Sequence, residues 1–185
     1  MCEPAKQIPL SDFKDTLLEY TRLKKTLNNR YGIQENGYFR GISYYDVDKL
    51  INDEILKIIP DEYRQCFKVF LMVINTPEIL PHIDSNTQVA INLYLKTSGA
   101  SVTTFYDKKN GSNDIIEKIE NQTDGCIFDY DNLVEKYKFT AKEDEAWILN
   151  VKMPHSVKCE TNDLRIAFSI QSSTISYEQA LKLLI

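Results

Sequence analysis

The stretch Ile79-Leu-Pro-His82-Ile-Asp84-Ser-Asn-Thr-Gln-Val-Ala-Ile-Asn-Leu-Tyr-Leu95 decides the fold. Its second half alternates. In an extended strand, Val89, Ile91, Leu93 and Leu95 share one face, and Gln88, Ala90, Asn92 and Tyr94 share the other. Residues 164–171 repeat the pattern, with Leu164, Ile166, Phe168 and Ile170 set against Arg165, Ala167, Ser169 and Gln171. A one-sided sheet turns its polar face to water, whereas in a closed or double-sheet barrel that face can line an interior site. An arginine on the second polar face favours the interior site. At the head of the first stretch, His82 and Asp84 are two residues apart, so an imidazole nitrogen and a carboxylate oxygen converge on one point, as a metal ion requires.

The chain has only two histidines, and the second, His155, lies in Lys152-Met-Pro-His155-Ser-Val157. Two histidines and one carboxylate make a facial triad that suits Fe(II) and leaves open positions on the metal. Arg165 follows His155 by ten residues. A planar guanidinium there can hold a carboxylate through two parallel hydrogen bonds. On His82-x-Asp84, His155 and Arg165, in that order, the chain resembles the Fe(II)/2-oxoglutarate-dependent dioxygenases, from about Phe67 to Gln171.

The resemblance implies a double-stranded β-helix. It also implies Fe(II) held by His82, Asp84 and His155, with 2-oxoglutarate and O2 as cosubstrates. Oxidative decarboxylation would release succinate and carbon dioxide as the prime substrate, peptidyl or small-molecule, is oxidised. Asp84 points to hydroxylation or a related oxidation, because family members that halogenate lack the carboxylate. Many members carry Arg-x-Ser, where this chain has Arg165-Ile166-Ala167. The second partner of the cosubstrate carboxylate must therefore come from elsewhere, and Asn92, Tyr94 and Ser169 are the candidates on the inner faces. Two other readings stand beside this one. A zinc hydrolase could use the same His/Asp/His set, though Arg165 would then have no role. A cupin-like binding or structural module could keep the barrel without turnover.

Length and composition set the frame. At 185 residues the chain is expected to form one domain with a sizeable core. Four scattered cysteines with no Cys-x-x-Cys pair argue for reduced thiols, and no apolar run has signal-peptide or membrane-span length. A cytoplasmic protein is the expectation. A net charge of −5 supplies no basic footprint for nucleic acid.

Taken in order, the chain reads as a helical flank over about 1–62, a jelly-roll core over about 65–172 and a short helix over about 176–183. Ser11 or Asp12 caps a first helix with an apolar stripe at Phe13, Leu17 and Leu27. Residues 30–45 carry the turn signal Asn36-Gly37 and suggest a strand pair, whose Tyr38, Arg40, Tyr44 or Tyr45 either touch substrate or simply cover the barrel. Asp46 to Ile59 reads as a second helix, burying Val47, Leu50, Ile51 and Ile55, and Pro60 ends it. Phe67 to Ile74 is apolar enough for a strand buried on both faces. Ser101–Tyr106 is a strand expected to continue the sheet of Asn92 and Tyr94. The polar segment from Asp107 to Gly125, with a short strand or helix at Ile115–Glu120, is either a lid or a solvated connection. Shorter strands follow at 126–129, 137–140 and 145–151, and then those of His155 and Arg165. A turn at Glu160–Asp163 joins the last two. The closing helix is capped near Ser176, with Glu178 at its third position. The sum is a mainly β fold, a cupin-like jelly-roll barrel with N-terminal helices outside.

Overall fold

A strand over Val89–Lys96 divides two apolar cores, and the rest of the chain is arranged around that division. The computed structural model describes residues 3–9, 30–31, 42–97, 101–109, 115–118, 125–159 and 164–185. In chain order the elements are β1 (Ala5–Ile8), β2 (Arg30–Tyr31), β3 (Ile42–Asp46), α1 (Lys49–Ile55), β4 (Lys68–Ile74), β5 (Glu78–Ile83), β6 (Val89–Lys96), β7 (Val102–Lys108), β8 (Ile115–Lys118), β9 (Cys126–Phe128), β10 (Leu133–Thr140), β11 (Ala146–Leu149), β12 (His155–Lys158), β13 (Arg165–Ser172) and α2 (Tyr177–Leu184). The expected first helix, the Asn36-Gly37 turn with Tyr38 and Arg40, and the Glu160–Asp163 turn lie outside the described residues, as does most of the segment between Lys109 and Gly125.

The strands form a seven-stranded sheet, β1-β11-β6-β13-β4-β3-β2, and a six-stranded sheet, β10-β7-β12-β5-β9-β8. From β4 to β7 each strand enters the opposite sheet, the connectivity of a jelly roll. Each sheet keeps two edge strands among the described residues, so the architecture is a double-sheet sandwich rather than a closed barrel.

The alternating faces part as the pattern demands. Val89, Ile91, Leu93, Leu95, Phe168 and Ile170 are buried in one core with Ile51, Ile55, Tyr177 and Ala180, on the side covered by α1 and α2. Ala90, Tyr94 and Ala167 join Phe105, Phe139 and Val157 from the other sheet in a second core between the sheets. β4 is buried on both faces, giving Val69 and Leu71 to the first core and Met72 and Ile74 to the second.

Other expectations need correction as well. β7 does not continue the sheet of β6. β6 is flanked on both sides, by β11 and β13, so no edge is free and the chain crosses to the other sheet. That strand also runs on through Asp107 to Lys108, because β10 extends beside it and sets Val134 opposite Asp107 and Leu133 opposite Lys108. α1 is shorter than expected, capped by Asp48, whose side chain accepts from the Ile51 amide at 3.1 Å. Seven residues bury only the i, i+4 pair Ile51 and Ile55, and Leu50 is 63% exposed. At α2, Ser176 is the cap and Gln179, not Glu178, is the third residue, where it closes a capping box.

Candidate active site

His82 is the penultimate residue of β5, and Asp84 follows directly after the strand. The Asp84 amide donates to the Val151 carbonyl at 3.1 Å, which fixes the carboxylate beside the strand end. The chain then turns through Asn86 at φ 55° into β6 in the opposite sheet. Asparagine tolerates this left-handed conformation better than most residues. His155 opens β12 and is the direct cross-strand partner of His82, with a register shift just beyond it. Two strands of one sheet and one turn thus bring together three groups that are 73 residues apart at their extremes.

The potential ligand atoms of His82, Asp84 and His155 all lie within 4.8 Å of one another. Nε2 of His82 is 3.3 Å and Nε2 of His155 is 3.7 Å from the same Asp84 oxygen, Oδ1. Nδ1 of His82 lies 2.8 Å from the Leu80 carbonyl, and Nδ1 of His155 lies 3.0 Å from that of Met153. A carbonyl can only accept, so each Nδ1 carries the hydrogen, and in a neutral ring Nε2 keeps its lone pair. This is how metal-bound imidazoles are commonly oriented from behind.

Burial, and then the neighbouring His82, push the pKa of His155 down to about 4, so its ring is neutral at pH 7. Burial raises the carboxyl of Asp84, but the contact with His82, the facing imidazole of His155 and the Lys152 ammonium outweigh it and hold it below the ordinary value. Lone pairs aimed at an ionised carboxylate repel unless a cation lies between them. The donor set fits a divalent metal.

The second polar feature is Arg165, at the start of β13 and only 2% exposed. Its Nη2 donates to Tyr94 Oη at 2.7 Å and to Thr103 Oγ1 at 3.2 Å, and its Nη1 donates to Ser101 Oγ at 3.1 Å. The guanidinium carbon stands 4.6 Å from the Tyr94 ring centre. No carboxylate pairs with it among the described residues, and Nε has no partner. A buried cation satisfied only by neutral hydroxyls costs several kcal/mol. The hydroxyls themselves are informative: a guanidinium has no lone pair, so all three must accept from it, and their own protons turn elsewhere. Tyr94 Oη also accepts from Asn92 Nδ2 at 3.4 Å. Its proton is left to donate to a third party. The donor set fits an anion.

All seven residues singled out from the sequence as site residues, His82, Asp84, His155, Arg165, Asn92, Tyr94 and Ser169, line one cavity between the sheets. Among the described residues no hydrogen bond joins Ser169 to the guanidinium; its hydroxyl accepts from Gln171 at 3.1 Å. Asn92 Oδ1 is buried without a partner among the described residues. Tyr44 lines the cavity, its hydroxyl pushed up by burial and then by the charge of Asp84, whereas Tyr45 packs against the outer core.

Sequence reading missed Ser101 and Thr103. The signal was there: Ser101, Thr103 and Phe105 share one face by period-2 alternation, and all three are buried. Phe105 stacks on His155 at 5.6 Å.

No protein-family model matches the chain, and no curated protein does. Among solved structures, the epimerase SnoN in complex with Fe3+, alpha ketoglutarate and nogalamycin RO is similar over 91% of this chain and 78% of its own, with TM-score 0.57 and 14% identity. The non-heme alpha ketoglutarate dependent carbocyclase SnoK from nogalamycin biosynthesis gives 0.55 at 9% identity, over 91% and 79%. A Pseudomonas putida prolyl-4-hydroxylase gives 0.50 at 14%, over 91% of each chain. At such identities the likeness is one of fold, and the chain shares the jelly roll of these enzymes.

Proposed function

We propose that the chain is an Fe(II)- and 2-oxoglutarate-dependent oxygenase that hydroxylates a peptidyl or small-molecule substrate. One observation carries the reading: a buried arginine without a carboxylate partner among the described residues lines the same cavity as a His/Asp/His cluster. A cation site and an anion site in one cavity call for a ligand that is both a metal chelator and an anion, and 2-oxoglutarate is both. The zinc-hydrolase and cupin-module readings leave the arginine unexplained.

His82, Asp84 and His155 would hold the iron, and three ligands on one side leave positions for cosubstrate and dioxygen. Arg165 would receive the distal carboxylate, with Tyr94 and Thr103 turning their hydroxyl protons toward it. When bound, iron and 2-oxoglutarate supply the oxidising power, by decarboxylation to succinate. The chain's part is to orient and to exclude water. Ile42, Met72, Ile74, Leu149, Val151 and Val157 give the cavity apolar walls. Tyr44, Ser169 and Gln171 form a polar strip left over for the substrate. The retained Asp84 favours hydroxylation over halogenation, and the free thiols Cys66 and Cys159 suit a reducing compartment such as the cytoplasm.

The test is spectroscopic. Fe(II) and 2-oxoglutarate added together under anaerobic conditions should give a weak visible charge-transfer band that neither gives alone. Zn(II) with 2-oxoglutarate should give none. No band with Fe(II) and 2-oxoglutarate at saturating concentrations would overturn the reading.

A further inference from the structure

Ser101 is the one hydroxyl on Arg165 that does not line the cavity. It sits behind the guanidinium, 1% exposed, and its Oγ lies 3.0 Å from Sγ of Cys159. Because Oγ must accept from Arg165 Nη1, its own proton has to point away from the arginine. Cys159 is where the contact lies. Either the hydroxyl donates to the sulfur, or the thiol donates to the second lone pair of the oxygen. In both cases Sγ limits the rotation of the hydroxyl, so that a lone pair faces Nη1.

The thiol is itself fixed. The Cys159 amide donates to the Pro77 carbonyl at 2.7 Å, and the residue directly follows β12, the strand that begins with His155. Three elements meet at this point: β13 brings the guanidinium, the start of β7 brings the hydroxyl, and the end of β12 brings the sulfur.

From this chain of contacts we infer that Cys159 is a positioning residue for anion binding, acting on Arg165 through Ser101 without touching the ligand. The inference rests on the reading of Arg165 as the cosubstrate anchor. It adds that affinity for the distal carboxylate depends on a sulfur atom two contacts away. Cys159→Ala removes the partner that fixes the hydroxyl, so its lone pair is held less firmly toward Nη1. The guanidinium is then less firmly held when the carboxylate arrives. One neutral hydrogen bond, between Ser101 and Cys159, governs the size of the effect, a roughly three- to tenfold loss of affinity. Cys159→Ser puts a hydroxyl in place of the thiol and should keep most of the affinity.

The experiment is a calorimetric titration of 2-oxoglutarate into the anaerobic Fe(II) protein. It compares wild type, Cys159→Ala, Cys159→Ser, Ser101→Ala and the double variant Ser101→Ala/Cys159→Ala, each checked for native circular dichroism. The expected result is a weakened Cys159→Ala, a near-normal Cys159→Ser and a double variant no weaker than Ser101→Ala alone. A merely structural cysteine would lower thermal stability without this coupling, and its effect would add to that of Ser101→Ala. Wild type that binds and Cys159→Ala that binds equally well would overturn the inference alone, as would additive losses. Wild type that fails to bind 2-oxoglutarate would overturn the functional reading and the inference together.

Discussion

Replacing Arg165 by methionine removes the charge and all its donors while leaving an apolar side chain of similar reach. In the ligand-free protein two large effects oppose each other. Three hydrogen bonds from a charged donor contribute ~1.5–3 kcal/mol each, and the residue makes three, to Tyr94, Ser101 and Thr103. Against them stands the several kcal/mol needed to bury a cation with no counter-charge. The two nearly cancel, so ligand-free stability should change by less than about 2 kcal/mol. With metal and cosubstrate present the balance differs. A ligand at 100 times its Kd stabilises the folded state by ~2.7 kcal/mol, which for a chain of this length raises Tm by roughly 5–10 °C. Arg165→Met should lose nearly all of that rise, and Arg165→Lys, which keeps the charge but not the planar fork, should keep part of it. Thermal unfolding followed by circular dichroism, anaerobically with Fe(II) and with or without 2-oxoglutarate, measures both quantities. A variant with the full cosubstrate-induced rise would remove Arg165 from the anion site. A ligand-free loss above about 5 kcal/mol would mean that the guanidinium already has a counter-charge.

His82→Ala, Asp84→Ala and His155→Ala should each weaken Fe(II) binding more than about 100-fold, beyond what the loss of an outer partner causes, with the sheets intact by circular dichroism; iron affinity like wild type in His155→Ala would refute the cluster as a metal site. The metal-free protein should gain stability between pH 4 and 6.5, because the unfolded chain binds a proton at His155 that the folded one, with its pKa at about 4, does not. At ~1.36 kcal/mol per pH unit this contribution reaches roughly 3 kcal/mol, complete above pH 6.5 and lost as the pH falls toward 4. Urea titrations of wild type and His155→Gln with chelator present should differ by that slope, and parallel curves would contradict the burial argument. Phe168→Ala, fully buried under the helices, should cost about 3–5 kcal/mol in urea unfolding. Val134→Ala, on the exposed face of the edge strand β10, should stay within about 0.5 kcal/mol, and equal costs would mean that the two cores are wrongly placed.

Legibility followed burial. Where a strand is covered on both faces and its two faces differ chemically, as in β6 and β13, alternation in sequence gave each residue its side, and Asn92, Tyr94 and Arg165 line the cavity as their parity required. At the sheet edge the same signal fails. β10 runs from Leu133, four residues before the Tyr137 at which the sequence reading starts it, because Glu135 and Lys136 interrupt the apolar run on an exposed edge strand, where charge guards against further pairing. Parity also says nothing about which sheet a strand joins. The crossing of β7 to the opposite sheet depends on β6 having no free edge, a property of the whole topology. The same limit hid Ser101 and Thr103. Their polar face was readable, but not that it would meet the guanidinium of Arg165 across the sandwich.

That meeting gives the site its dimensions. The histidines belong to the six-stranded sheet and Arg165 to the seven-stranded one, yet the guanidinium is held by Ser101 and Thr103 from the histidines' side as well as by Tyr94 from its own. The arginine is therefore tied across the gap between the sheets, and its guanidinium ends beside the sheet that carries the histidines. On that sheet Thr103 stands opposite Val157 and Phe105 opposite His155, so the arginine's anchor is two residues along β7 from the partner of His155. The core between the sheets, with Tyr94, Phe105 and Val157 in it, keeps that offset fixed.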